Sequence, residues 1–220
     1  GMLPKVIRAL GPLVLGSVLS VSCSTMEIHK TNKEMTLFDF TTDKQQNHLW
    51  REISDTVREP GMSKAVFSIQ KTRLFQRAVM FAMINPQPNG AGFAGVQTEM
   101  PDTAASHAQD TGLKLLVRGQ GQLKYWKVVL TDTDQIGAMK QYSYEQKFTI
   151  ELDPKGGDME IVELPFSEFK AFFRGREIED APPLDLAKTG AFGLQTFGGV
   201  YDNFKQQGTG SLEIDSISFY

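Results

Sequence analysis

Two carboxylates two residues apart, Glu213 and Asp215, are the clearest hint of chemistry in this chain. In some jelly-roll glycosidases, alternating acids on one strand face one cleft, so that one acts as nucleophile and the other as acid. The third acid of that pattern falls on Ser218 here. The apolar phase changes between Ile214 and Ile217, which predicts a β-bulge near Asp215 and Ser216, and Asp215 reads as a turn or edge residue of that bulge. Asp39 would add one more oxygen donor, but two acids are too few for a calcium site.

Gly90-Ala91-Gly92-Phe93-Ala94-Gly95 satisfies G-x-G-x-x-G, the loop that cradles a dinucleotide pyrophosphate at a helix N-terminus. The following Val96-Gln97-Thr98-Glu99-Met100 reads as a strand stopped by Pro101, so the required helix is missing. Gly119-Gln120-Gly121 reads as the turn that ends a strand. His29, His48 and His107 are scattered without ligand spacing, and no Gly-x-Ser-x-Gly elbow is present. The sequence therefore predicts a non-enzymatic protein with no catalytic residue, no metal ligand and no cofactor.

These side chains must be positioned by strands. The 220 residues are 40% hydrophobic and 22% charged, an ordinary globular composition. The formal net charge of -3 lacks the basic face that phosphate neutralisation requires, which argues against nucleic acid. Short segments alternate apolar and polar side chains: Ala65-Phe67-Ile69, Val79-Phe81-Met83, Phe93 to Glu99, Leu113 to Arg118, and Trp126-Val128-Leu130. Phe148-Ile150-Leu152, Val162-Leu164, Ala191 to Thr196 and Leu212 to Tyr220 continue the series. Tyr142 and Tyr144 share the coreward parity. Phe166, Phe169 and Phe172 are spaced for one or two short helical turns capping one end. About ten short strands without a long amphipathic helix predict an all-β, antiparallel sandwich or jelly roll.

Residues 1–24 have the layout of a targeting segment: Lys5 and Arg8, then an apolar run from Ala9 to Val21, then small residues around Cys23. That run is shorter than the roughly 20 residues of a membrane span, and no transmembrane span is expected in the mature domain. The segment reads as an export signal, with Cys23 either a lipid-acceptor position or a small residue lost on cleavage, and a mitochondrial presequence is the alternative. Residues 25–35 read as a linker and 36–220 as one jelly-roll domain.

Tyr125 and Lys127 fall on the strand face opposite Trp126. Lys114 and Arg118 alternate in the same way on what reads as the neighbouring strand, and such a face is either a solvated surface or one that would suit a sugar by stacking and hydrogen bonding. Trp50 stands near Asp55 and reads as a core anchor.

The order of several short motifs resembles the complex I intermediate-associated protein 30 family, from about Leu37 to Tyr220. The matching pieces are Phe38-Asp39-Phe40, Trp50 before Asp55, Val117-Arg118-Gly119, and Tyr142 and Tyr144 before Phe148. Leu164 to Phe169 and Leu212 to Asp215 complete the series. The chain departs where Arg58-Glu59-Pro60-Gly61-Met62-Ser63 replaces a Gly-Gly turn, and where Gln120 replaces an Asp. The resemblance implies a galactose-binding-domain-like jelly roll with a chaperone-like assembly role and protein partners such as complex I subunits or intermediates. An exported carbohydrate-binding module is the alternative. Across both readings the candidate binding residues are Trp50, Asp55, Ser63, Lys114, Arg118, Gln120, Tyr125 and Lys127.

Overall fold

Side chains that alternate in and out along a strand can bury only one face, so two such sheets must close on each other. The computed structural model, which describes residues 35–43, 48–88, 91–139 and 141–220, has that arrangement. Its strands are β1 (Thr36–Asp39), β2 (Arg51–Ser54), β3 (Lys64–Lys71), β4 (Gln76–Ile84), β5 (Phe93–Glu99), β6 (Gly112–Gly121) and β7 (Tyr125–Asp132). They continue as β8 (Ser143–Thr149), β9 (Glu160–Pro165), β10 (Lys170–Phe173), β11 (Arg176–Glu177), β12 (Thr189–Phe197) and β13 (Gly208–Phe219).

One sheet has the order β3-β4-β13-β6-β9, with β1 also paired to β13; the other runs β11-β10-β8-β7-β12-β5-β2. All the strand pairs are antiparallel. The chain crosses repeatedly between the sheets, as in a jelly roll. Met80, Leu115, Leu212 and Ile214 from the six-stranded sheet share one core with Trp126, Leu130, Phe192 and Leu194 from the seven-stranded sheet. The buried Trp126 indole donates from Nε1 to the Leu123 carbonyl at 3.0 Å, which satisfies its one polar group.

The long strand β13 shows why the apolar phase shifts. It pairs with β4 through Ile214 and with β1 from Ser216, and its register against β6 slips between Ile214 and Ser216. Asp215 is the extra residue, and Ile214 and Ile217 both stay buried. Tyr144 is buried, and its hydroxyl donates to the Pro182 carbonyl at 2.8 Å; Tyr142 meets it edge-on at the core margin.

Two local expectations are corrected. The Gly119-Gln120-Gly121 segment is not a turn: β6 continues to Gly121 because β13 supplies Gly210, Ser211 and Leu212 as partners. Phe172 is not on a helical turn. A single 3-10 turn covers Phe166–Glu168, after which Lys170–Phe173 extends and pairs with β8. Among the described residues, no helix is long and apolar enough to cross a membrane. The expected targeting segment lies outside the described residues.

Candidate binding cleft

The outward face of the seven-stranded sheet carries a cleft of about 610 Å³. Its floor comes from Lys127 on β7, Ser143, Glu145 and Lys147 on β8, and Gln195 and Phe197 on β12. The Arg174-Gly175 turn and the Gly199–Asp202 loop form walls, with Met139 on the rim and Arg58 beyond β2.

Lys127 Nζ donates to Glu145 Oε2 at 2.6 Å, and both side chains are about nine-tenths buried. A buried pair of this kind stands on its mutual attraction, because either charge alone would be desolvated without compensation. Lys127 also lies 5.3 Å above the Phe197 ring. Lys147 sits 5.6 Å over Phe172 and 5.3 Å over Phe197, and pairs with Asp202. Arg176 lies 5.0 Å over Tyr201. Four of the lining rings, Phe172, Phe173, Phe197 and Tyr201, therefore have a cation over them.

The wall loop is tied down by Gln206. Its Nε2 donates to the carbonyls of Tyr125 and Phe197, both at 2.8 Å, while its Oε1 accepts from the amides of Lys124 and Tyr125 at 3.0 and 3.1 Å. Phe204 stacks on Tyr125 with ring centroids 3.6 Å apart.

The expected grouping of Tyr125 and Lys127 with Lys114 and Arg118 is not found. β6 and β7 are consecutive in sequence but lie in different sheets, so the two pairs face opposite sides of the sandwich. Alternation gives a residue's face, not its strand's neighbour. Tyr125 is also covered by Phe204 rather than open for stacking.

Arg118 and Gln120 belong to a second polar cluster, on the outer face of the six-stranded sheet. Arg118 stands opposite Glu213 in the β6–β13 register. Glu213 Oε2 accepts from Arg118 Nη2 at 2.6 Å and Arg77 Nη1 at 2.7 Å, and its Oε1 accepts from Gln120 Nε2 at 3.3 Å. Arg118 Nη1 also donates to the Gly157 carbonyl at 3.1 Å. Arg77 Nε is 3.1 Å from Asp215 Oδ1. Burial holds the Asp215 carboxyl above its ordinary pKa; Arg77 and Arg118 oppose that rise, and Glu213 and Asp39 add to it. The two carboxylates thus reach the same arginine on one face and are occupied as ion-pair partners. Lys114 is 3.7 Å from Glu163.

Asp55 is a buried brace. Its Oδ1 accepts from the Ser63 amide at 2.9 Å, and its Oδ2 accepts from Ser63 Oγ at 2.8 Å and from the Gly92 amide at 3.0 Å. Ser63 Oγ in turn accepts from the Asn85 amide at 3.1 Å. This fixes the 55–63 loop, where a Cβ on Gly61 would fall 2.0 Å from the Asp55 carbonyl oxygen. Gly92 therefore anchors the start of β5, and the strand that follows excludes a phosphate loop. Gly90 lies outside the described residues.

Trp50 stacks on Phe67 at 4.3 Å beside Phe38, Phe40 and Phe192, at the margin of the core. His107 pairs with Asp110 at 2.7 Å and stacks on Phe219, and His48 packs edge-on to Phe38. Among the described residues, no group of three or more His, Cys, Asp or Glu side chains is placed to hold a metal ion.

Asp132, at the end of β7, is buried, and its Oδ1 lacks a hydrogen-bond partner. Burial raises its pKa above the ordinary 3.8, with Asp134 and Asp185 adding to the shift and Lys188 opposing it. A carboxyl that holds its proton more tightly when folded loses stability as pH rises from the unfolded pKa through the raised one. Asp132→Asn is expected to raise the urea midpoint at pH 7 and to leave it nearly unchanged at pH 3. An equal shift at both pH values would contradict this account.

The remaining observations are likenesses to known proteins. A family 11 carbohydrate-binding module of the cellulosomal cellulase Lic26A-Cel5E of Clostridium thermocellum superposes with a TM-score of 0.55, at 16% identity, covering 84% of this chain and 93% of that one. A Clostridium thermocellum family 11 module in complex with a β-1,3-1,4-mixed-linked tetrasaccharide gives 0.53 at 16% identity, covering 82% and 94%. These likenesses establish the jelly-roll fold. An uncharacterized protein of Schizosaccharomyces pombe is 31% identical over 108 residues, 48% of this chain. That match also spans 48% of the relative, about half its length. The family model of complex I intermediate-associated protein 30 matches residues 38–214, in agreement with the motif order from Phe38-Asp39-Phe40 to Leu212-Glu213-Ile214-Asp215. By this match the chain belongs to the complex I intermediate-associated protein 30 family.

Proposed function

We propose that this domain is a non-catalytic assembly factor whose cleft on the seven-stranded sheet holds a segment of a protein partner. The observation that carries this reading is the state of the cleft aromatics. Phe172, Phe173, Phe197 and Tyr201 each have a cation over the ring, and Tyr125, outside the cleft lining, is covered by Phe204. A sugar-binding platform needs open ring faces, whereas a peptide needs polar groups along an extended groove with apolar side chains beside it. Met139 is 95% exposed on this rim, and Val200 and Tyr201 are exposed nearby. Such adaptable apolar groups suit protein contacts.

The family favours respiratory complex I subunits or intermediates as partners and the mitochondrion as the location. In cells lacking this protein, partial complex I should accumulate on native gels, with N-terminal sequencing and localisation placing the mature chain in mitochondria. Normal complex I, or a mature product outside the cell, would contradict the complex I version. The carbohydrate-binding alternative draws its support from the fold likeness; a glycan array that finds a ligand lost on filling the cleft would favour it instead.

A further inference from the structure

We propose that the cleft recognises an acidic peptide segment, and that Arg58 and Arg174 are the residues that engage its carboxylates. This rests on the binding role proposed above and adds the chemistry of the ligand. The chain as a whole carries a net charge of -3, yet the cleft lining inverts that sign, with Arg58, Lys127, Lys147 and Arg174 against Glu145 and Asp202. Lys127 and Lys147 are committed to those two acids. Arg58 and Arg174 are exposed, and among the described residues neither guanidinium makes an ion pair or side-chain hydrogen bond. Arg174 rests 5.2 Å over the Phe173 ring, which leaves its N–H edges open for a bidentate carboxylate.

The backbone at Arg174 supports this assignment. Phe173 pairs with Arg176, so Arg174-Gly175 is a two-residue hairpin turn, with φ of 52° and 80°. Left-handed angles at both positions mark a type I′ turn, where Asn-Gly or Gly-Gly is the favoured pair. Arg at the first position is strained for no gain to the turn itself, and strain of this kind collects at ligand clamps. What the arginine gains is a guanidinium on the cleft wall.

Arg58 is held independently, in the loop braced by buried Asp55 and Ser63. β10, which leads into the Arg174 turn, and β2, which leads to Arg58, are separated by five strand spacings. At about 4.8 Å per spacing this is roughly 24 Å, the reach of about seven extended residues. One extended peptide can therefore meet both arginines, with its apolar side chains against Met139, Val200 and Tyr201.

The test uses the whole protein and a fluorescein-labelled peptide of about twelve residues alternating Glu and Val, followed by fluorescence polarisation at low ionic strength. A Lys-for-Glu peptide and polygalacturonate serve as comparison ligands. Wild type should bind the Glu peptide at least about tenfold more tightly than either. Arg58→Gln and Arg174→Asn should each weaken binding about tenfold, while Arg73→Gln, on the β3–β4 turn, should not. Because Asn suits the turn, Arg174→Asn should not lower the melting temperature. Equal binding of the two peptides, tighter binding of polygalacturonate, or unchanged binding by both cleft variants would overturn the proposal. If a protein partner still cross-links to the cleft while those variants bind it normally, only acid recognition fails; if no partner reaches the cleft, the binding role fails as well.

Discussion

Glu145→Ala should cost about 3–5 kcal/mol, because it leaves the Lys127 ammonium buried without its anion. Lys127 and Glu145 are joined at 2.6 Å on the cleft floor, with little solvent to take over either charge. For a domain of this size the loss corresponds to a fall in melting temperature on the order of 10 °C. The double variant Lys127→Met with Glu145→Leu should recover most of it, since matched apolar replacement of a buried pair is close to neutral. A double-mutant cycle by urea denaturation separates the pair from its surroundings. A loss below about 1 kcal/mol for Glu145→Ala would mean that water reaches the pair and that the cleft floor is wetter than the geometry indicates.

The second large effect is expected from Glu213→Gln. This residue neutralises two guanidiniums, Arg77 and Arg118, and also accepts from Gln120. An amide keeps the shape but loses the charge, and Asp215 alone cannot balance both arginines. A loss of about 3 kcal/mol is expected, larger than for Asp215→Asn, because the Asp215 carboxyl carries a desolvation burden that its removal relieves. Guanidinium unfolding of the two variants checks the order. A catalytic role for the pair would predict little loss of stability from either substitution, and that result would reopen it.

Sequence periodicity located most strands but not all, and not always their buried face. The Val79-Phe81-Met83 phase lies outward on β4, with Phe81 53% exposed, because Ala78, Met80, Ala82 and Ile84 fill the core. The short β2, β10 and β11 showed no alternation. The bulge at Asp215 was legible because a shift from Ile214 to Ile217 cannot keep both side chains inside a regular strand. The buried face of β7 was legible from Trp126, Val128 and Leu130. The Lys127–Glu145 pair was not, since 18 residues separate its members and only the β7–β8 register brings them together. The three-residue spacing of Phe166, Phe169 and Phe172 resembles helix, whereas pairing of the short β10 with β8 and β11 decides Phe172. The Arg118–Glu213 contact lay hidden in two motifs that were each recognised separately. Asp55 and Ser63, expected among binding residues, bond to each other and hold the loop that carries Arg58.

Whether the cleft of the seven-stranded sheet receives a protein partner can be read by cross-linking. The direct measurement places a photo-crosslinking amino acid at Met139, on the cleft rim, and for comparison at Leu74, which is 92% exposed on the β3–β4 turn of the other sheet. Irradiation in cells should give a discrete adduct with a complex I subunit or assembly intermediate from position 139 and none from 74, and Gln195→Trp, which fills the floor, should abolish it. No adduct at 139, or the same adduct from both positions regardless of Gln195→Trp, would mean that no partner occupies the cleft.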